Sequence, residues 1–307
     1  MKLLLAVMAL IGLLTSCSDR TETSPARSAK DLTFATANDK EAVVNETERL
    51  NHWLDERFEE WLSRWPMWMT DLGRNDKYDQ IDDFSEAAEE QALQWRAASV
   101  AELTSQFDYE ALSEDAKVSY DLWIYQYEIH KTMAAFRRNE YVFSQMYGAQ
   151  AEFPAFLINK HAVDDVPDMR AYITRIEGTS RALDQLLERA KVAAADGVRP
   201  PRFTYSYVLD ESRNQIIGAP FDDTGKDSQL WADAQAKVSA LENAGKIDRT
   251  GATKLTEAAR AALLDSFHPA YMGLISWFES DMKNSDLDAK GVGSLPNGSA
   301  YYEACLL

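Results

Sequence analysis

Cysteine is almost missing from this chain, which has only Cys17 and Cys305. Cys17 is spoken for by the N-terminal signal described next, so Cys305 has no partner. No disulfide can then form within the chain, and stability must come from packing. Cys305 itself reads as a small buried hydrophobe. Basic residues are scarce: 32 stand against 50 acidic ones, a formal net charge of −18. Such a surface repels phosphate backbones and argues against nucleic acid as a partner. It gives no electrostatic help at an anionic membrane either. No apolar run approaches the roughly 20 residues of a membrane-spanning helix. Strict period-2 alternation is nearly absent, which argues against a sheet. There is no Gly-x-Ser-x-Gly, P-loop or Rossmann fingerprint. None of the four histidines is followed by glutamate.

The N-terminus carries the most specific signal. Lys2 precedes an apolar stretch from Leu3 to Leu13, the length and flank of a secretory signal rather than of a membrane span. Leu14-Thr15-Ser16-Cys17 follows, resembling a bacterial lipobox. Thr15 and Ser16 supply the small side chains a signal peptidase needs, and Cys17 becomes the lipidated first residue of the mature protein. Acyl chains, at roughly 0.8 kcal/mol per buried CH₂, hold such a protein on a membrane without a basic patch. Ser18, where an Asp would retain a lipoprotein on the inner membrane, favours the periplasmic face of the outer membrane. Residues 1–16 are thus expected as signal peptide, 17–44 as a flexible lipidated tether, and 45–307 as a helical domain.

Hydrophobic residues make up 46% of the chain, enough to build a core. Asn45, with Glu48 behind it, predicts a helix start. The stripe Leu50, Leu54, Phe58, Trp61 and Trp65 carries that helix down to Pro66. A second helix is expected from Ser85 to about Leu103. A third is capped by Ser113, with a stripe of Val118, Leu122, Tyr125, Ile129, Met133 and Phe136. Residues 141–161, with Gly148 and Pro154, read as a loop or a short hairpin. The longest helix starts near Asp165, with Pro167 in its first turn. It buries Met169, Tyr172, Ile176, Leu183, Leu187 and Ala190, has an interior weak point at Gly178, and stops at Gly197. Further helices are expected over 207–217, 228–243 and 252–282, the last kinked or broken at Pro269. After the turn Leu295-Pro296-Asn297-Gly298, Ser299 caps a two-turn helix, too short to be stable unless packed. The fold class is all-α or nearly so, an irregular multi-helix array.

From about residue 45 onward the chain resembles a bacterial family catalogued as domain of unknown function 885. The matching words are Phe153-Pro154-Ala155-Phe156-Leu157, the run from Asp168 to Ile176, Gly197-Val198-Arg199-Pro200-Pro201-Arg202-Phe203, Gly218-Ala219-Pro220-Phe221, Pro269-Ala270-Tyr271, and Leu295 to Tyr302. The resemblance implies a largely helical protein about twice this length, similar to zinc metallopeptidases. Its metal site would be a His-Glu-x-x-Pro-Gly-His helix in the C-terminal half. There two His and a carboxylate hold Zn²⁺ and an adjacent Glu activates water. This chain has no His-Glu pair, so no metal ligand or catalytic residue carries over. Zinc is expected only in a full-length relative, where a peptide would be the substrate. The chain is therefore expected to be a truncated N-terminal portion, inactive alone; a docked C-terminal helix that ends the domain is the other reading.

Other pairings are weaker. His52 with Glu56, His161 with Asp164 and Asp165, and Asp265 with His268 are each half a metal site, and surface bonds or caps explain them. Asp222-Asp223 beside Gly225 reads as a turn. Tyr301 and Tyr302 either reach a substrate cleft, where phenol hydroxyls stabilise an oxyanion, or pack the next helix. Trp53, Trp61, Trp65 and Trp68 either form core or line an aromatic groove for peptide or glycan. The second possibility would make the chain a self-sufficient envelope binding or scaffolding lipoprotein.

Overall fold

The computed structural model describes residues 37–307, with side chains from Glu41 onward. The signal peptide, Cys17 and most of the expected tether lie outside the described residues. The chain divides into two units, Met1–Glu41 and Ala42–Leu307, and the packing below is that of the second. Its elements are α1 (Ala37–Leu62), α2 (Pro66–Asp71), α3 (Glu86–Gln106), α4 (Glu114–Ala134), α5 (Ala149–Asn159), α6 (Val166–Ala195), α7 (Arg202–Gln215), α8 (Gln229–Asn243), α9 (Arg249–Ala262), α10 (His268–Asp281) and α11 (Gly298–Ala304). Among the described residues there is no strand, only an isolated bridge between Ala219 and Asp227. No described helix is long and apolar enough to cross a membrane.

Helix starts follow the capping residues. Ser85, Ser113 and Ser228 each accept a backbone N–H three residues on, and Asp165 forms a full capping box with Asp168. Asp248 does the same for α9, which therefore begins before Ala252. Asn45 does not cap: α1 already runs from Ala37, so residues 37–44, expected in the tether, are helical. Pro66 ends nothing by itself, since α1 stops at Leu62 and Pro66 opens α2. The helix expected from 207 starts at Arg202, where Pro201 fixes the entry. Ser299 caps nothing, because α11 starts one residue earlier behind Asn297 in the left-handed region. Pro269 stands in the first turn of α10, where the regular α-helical pattern of α9 has already given way. It has no N–H for the carbonyl of Asp265, and a π-helical stretch, Leu263–Phe267, carries the helix past it.

α6 is the axis of the main core. Met169, Tyr172, Ile176, Leu183 and Leu187 are buried among side chains of α5, α7, α8, α9 and α10, with Ala190 at the edge. Gly178 is an asset rather than a weak point. A Cβ there would stand 3.2 Å from Ile81, so its absence lets the 72–85 loop press onto α6. Two smaller clusters tie α1 to its neighbours. Leu50 and Trp53 meet Leu103, Phe107 and Tyr120, and Trp61 and Leu62 meet Met69. The α4 stripe read from the sequence is not core. α4 is apolar on both sides, and its opposite side wins the interior because Trp123 stacks edge-on against Trp53 and Trp95.

α5 corrects the expectation of a loop or hairpin. Pro154 lies inside this helix and leaves the carbonyl of Gln150 without its intrahelical donor. The hydroxyl of Tyr271, fully buried, donates to that carbonyl at 2.7 Å. A helix that looks broken in sequence is thus completed by a side chain from α10. Tyr271→Phe should cost about 1–3 kcal/mol by leaving a buried carbonyl unpaired, read from urea denaturation. Pro154→Ala restores the backbone donor and should recover much of that loss in the double variant; additive losses would refute the pairing.

Candidate functional site

The polar centre of the molecule is a buried arginine. Arg175 lies on the α6 stripe, three residues from Tyr172, and is completely buried. Its Nε donates to the carbonyl of Gln80 at 2.9 Å. Nη2 donates to Thr70 Oγ1 at 2.8 Å and to the carbonyl of Pro66 at 3.3 Å, and Nη1 to His161 Nδ1 at 3.0 Å. The guanidinium lies over the rings of Tyr78 and Phe156, at 4.8 and 5.2 Å. One side chain therefore fixes α2, the 72–85 loop, α5 and the α5–α6 turn onto α6. Burial lowers the Arg175 pKa to about 10, still charged at neutral pH.

His161 is the acceptor that makes this possible. Nε2 donates to the carbonyl of Asp168 at 3.0 Å, so Nδ1 keeps its lone pair for Arg175. The ring stacks on Tyr78 and stands edge-on to Tyr172. Burial lowers its pKa to about 4; the Asp168 carbonyl works against that, while Arg175 and Lys237 add to it. Asp82 sits nearby, accepting the Met67 N–H at 2.9 Å at the start of α2. Burial pushes its pKa up to about 6, against the Met67 bond and the Arg175 and Arg181 charges. Tyr172 donates to Asp233 at 2.7 Å, and Lys237 binds the same carboxylate while lying over the Tyr172 ring. These groups are saturated by one another. They form a structural lock.

A second polar group closes the far end. Arg199 grips Asp281 through both carboxylate oxygens, at 2.9 and 3.1 Å, and Tyr205 and Asn284 add bonds of 2.7 and 2.8 Å. Burial alone would raise the Asp281 carboxyl, but these donors outweigh it and hold it below its ordinary value. The neighbouring cavity, lined by Tyr141, Phe143, Ala194, Tyr205 and Trp277, is about 20 Å³, room for one water and not for a substrate.

The sequence candidates fall out as follows. Tyr301 is half-buried against Phe136, ring centres 6.0 Å apart. Tyr302 is exposed and, with Val292, Gly293, Ser299 and Glu303, lines an open surface depression. Gly298 is demanded here, because a Cβ would stand 1.9 Å from the Val292 carbonyl oxygen. Trp53 and Trp61 are buried and Trp65 and Trp68 half-buried in the two smaller clusters, so they form core and no groove. His52 meets only Glu56, at 3.3 Å on the surface. His161 uses both ring nitrogens within the lock, which corrects its reading as a helix cap: Asp165 and Asp168 do that work. His130 bonds the Gln126 carbonyl, and His268 stacks on Phe221. Among the described residues no group of three His, Cys, Asp or Glu is placed to hold a metal ion. The residues present thus do not fit the zinc that the family resemblance implies, and no step is derived through it. Arg175 itself was missed by sequence reading. The available signal was an arginine sitting one residue before Ile176 on the buried face of the longest helix.

The lock has a pH signature. Unfolded His161 titrates near 6.5, so its contribution to stability is present above that pH and is lost as pH falls towards 4. Asp82 works the other way. Its folded pKa of about 6 exceeds the ordinary carboxyl value, so its contribution grows as pH falls from about 6 to 4. Asp82→Asn removes that offset. Relative to the unmodified chain, the variant should lose on the order of 2 kcal/mol more stability at pH 4 than at pH 7. Denaturation midpoints across that range test this, and a pH-independent difference would refute it.

Comparison with known proteins fits this geometry. No curated protein matches the chain. Among solved structures, one described as "the putative lipoprotein from Colwellia psychrerythraea" has the same fold, with a TM-score of 0.65 at 13% sequence identity. The match covers 87% of this chain and 45% of that one, so this chain spans less than half of that protein's length. A family described as "Bacterial protein of unknown function (DUF885)" matches residues 66–307. That span takes in α2 to α11 with the Arg175 lock and all the matching words quoted above, and the chain belongs to this family.

Proposed function

We propose that this chain is the helical N-terminal portion of an exported lipoprotein resembling a zinc metallopeptidase, anchored through a lipid on Cys17 at the periplasmic face of the outer membrane. Its role is to scaffold. The zinc ligands and the general base belong to a further part of the protein, and this portion alone is inactive. The observation that carries the reading is the superposition of nearly the whole chain, 87%, on 45% of a longer chain described as a lipoprotein. The closed interior supports it. Arg175 of α6, and Tyr205 of α7 with Asp281 of α10, spend their polar atoms on protein partners, as a supporting wall requires. The exposed Tyr302 beside the open depression is a family-like aromatic that a peptide could meet. Tyr301 backs it by packing on Phe136.

Two measurements test the reading. Labelled palmitate should enter the chain in a bacterial host, and Cys17→Ala should abolish both the label and membrane fractionation. The purified chain should bind no stoichiometric zinc and hydrolyse no peptide, whereas the longer product of the same gene should do both. Zinc-dependent turnover by residues 17–307 alone would overturn the proposal, as would an unlabelled, soluble product with Cys17 intact.

A further inference from the structure

The α4 stripe that the core leaves out has a geometry of its own. Val118, Leu122, Tyr125, Ile129, Met133 and Phe136 follow one another at three- and four-residue steps along one side of the helix. Among the described residues none of the six enters a core cluster. Val118 is 65% and Tyr125 49% exposed, an arrangement that costs free energy in water. α11 already uses part of this side. Tyr301 packs on Phe136, and the Tyr125 hydroxyl donates to the carbonyl of Leu307. The contact moves down α4 as the chain runs up α11, so the two helices lie antiparallel. The result is an apolar side of α4 that α11 covers only in part.

We infer that this face is the docking surface for an amphipathic helix supplied by the second half of the longer polypeptide. The inference rests on the reading proposed above, that such a half exists. Charge and coverage select this occupant. A second copy would bring another net charge of −18 against this one, which opposes pairing. The structural relative has more than half its length outside the region matched by this chain. α11 shows that a helix seats on this side of α4 through an aromatic contact and one hydrogen bond.

The test places a photo-crosslinking phenylalanine analogue at Leu122 or Val118 in the natural gene, expressed in its own cells. A third variant carries it at Lys131, exposed on the opposite side of the helix. An antibody to this chain first reads the mass of the product. A product well beyond this chain's 34.6 kDa supports the two-half reading, and its absence overturns that reading together with this inference. Given the longer product, irradiation should join positions 122 and 118 to a peptide of the same polypeptide beyond residue 307, with no such join from 131. Joins from 122 and 118 to a second copy or to another protein, or no joins, would overturn the docking assignment and leave the two-half reading standing. Both replaced residues are partly or largely exposed and outside the core, and two positions guard against one variant failing to fold.

Discussion

The buried guanidinium of Arg175 is the constraint around which the fold is arranged. A charge in the interior is tolerable only if its donors are met and its field is answered. Here no carboxylate bonds it directly. Backbone carbonyls of Pro66 and Gln80, the Thr70 hydroxyl and a neutral imidazole take its hydrogens, and two aromatic faces cover it. The four acceptors come from three places in the chain, so the guanidinium can be satisfied only when α2, the 72–85 loop and the α5–α6 turn are all seated. His161 must stay neutral to take part, which is why burial and two neighbouring cations suit it. A lock of this kind has a large cost when any acceptor is missing, and so it favours one arrangement over near alternatives.

The same logic recurs at the breaks in local structure. Pro154 removes a donor in α5, and Tyr271 supplies one from α10. Gly178 gives up a side chain, and Ile81 occupies the space. Asp82 caps α2 from fifteen residues downstream. Arg199 and Tyr205 hold the end of α10 through Asp281. Of these residues, Pro154, Arg199 and Tyr271 stand in the words by which the sequence resembles its family. Those words are contact points between distant segments, which explains why none of them reads as a catalytic motif.

The polar groups around Arg175 and Asp281 are paired and enclosed. What the molecule leaves unspent lies on its surface: the α4 side with Leu306 and Leu307, and the depression at Tyr302.

The sequence alone was enough for the fold class, because apolar steps of three and four residues and the capping residues Ser85, Ser113, Asp165 and Ser228 are local signals whose physics needs no partner. The core side of α6 was legible for the same reason. The candidate export signal at Cys17 is local too, and lies outside the described residues. Tertiary structure decided the rest. It decided that 149–159 is a helix in spite of Pro154, since the compensating hydroxyl lies in α10. It decided which side of α4 faces inward, since both are apolar and only the edge-on stack of Trp123 with Trp53 and Trp95 breaks the tie. It decided that Trp53 and Trp61 are core and not groove, and that His161 accepts from Arg175 and does not cap a helix. In each case the deciding partner is far away in the chain, and an interaction between distant residues leaves no period in either stretch of sequence.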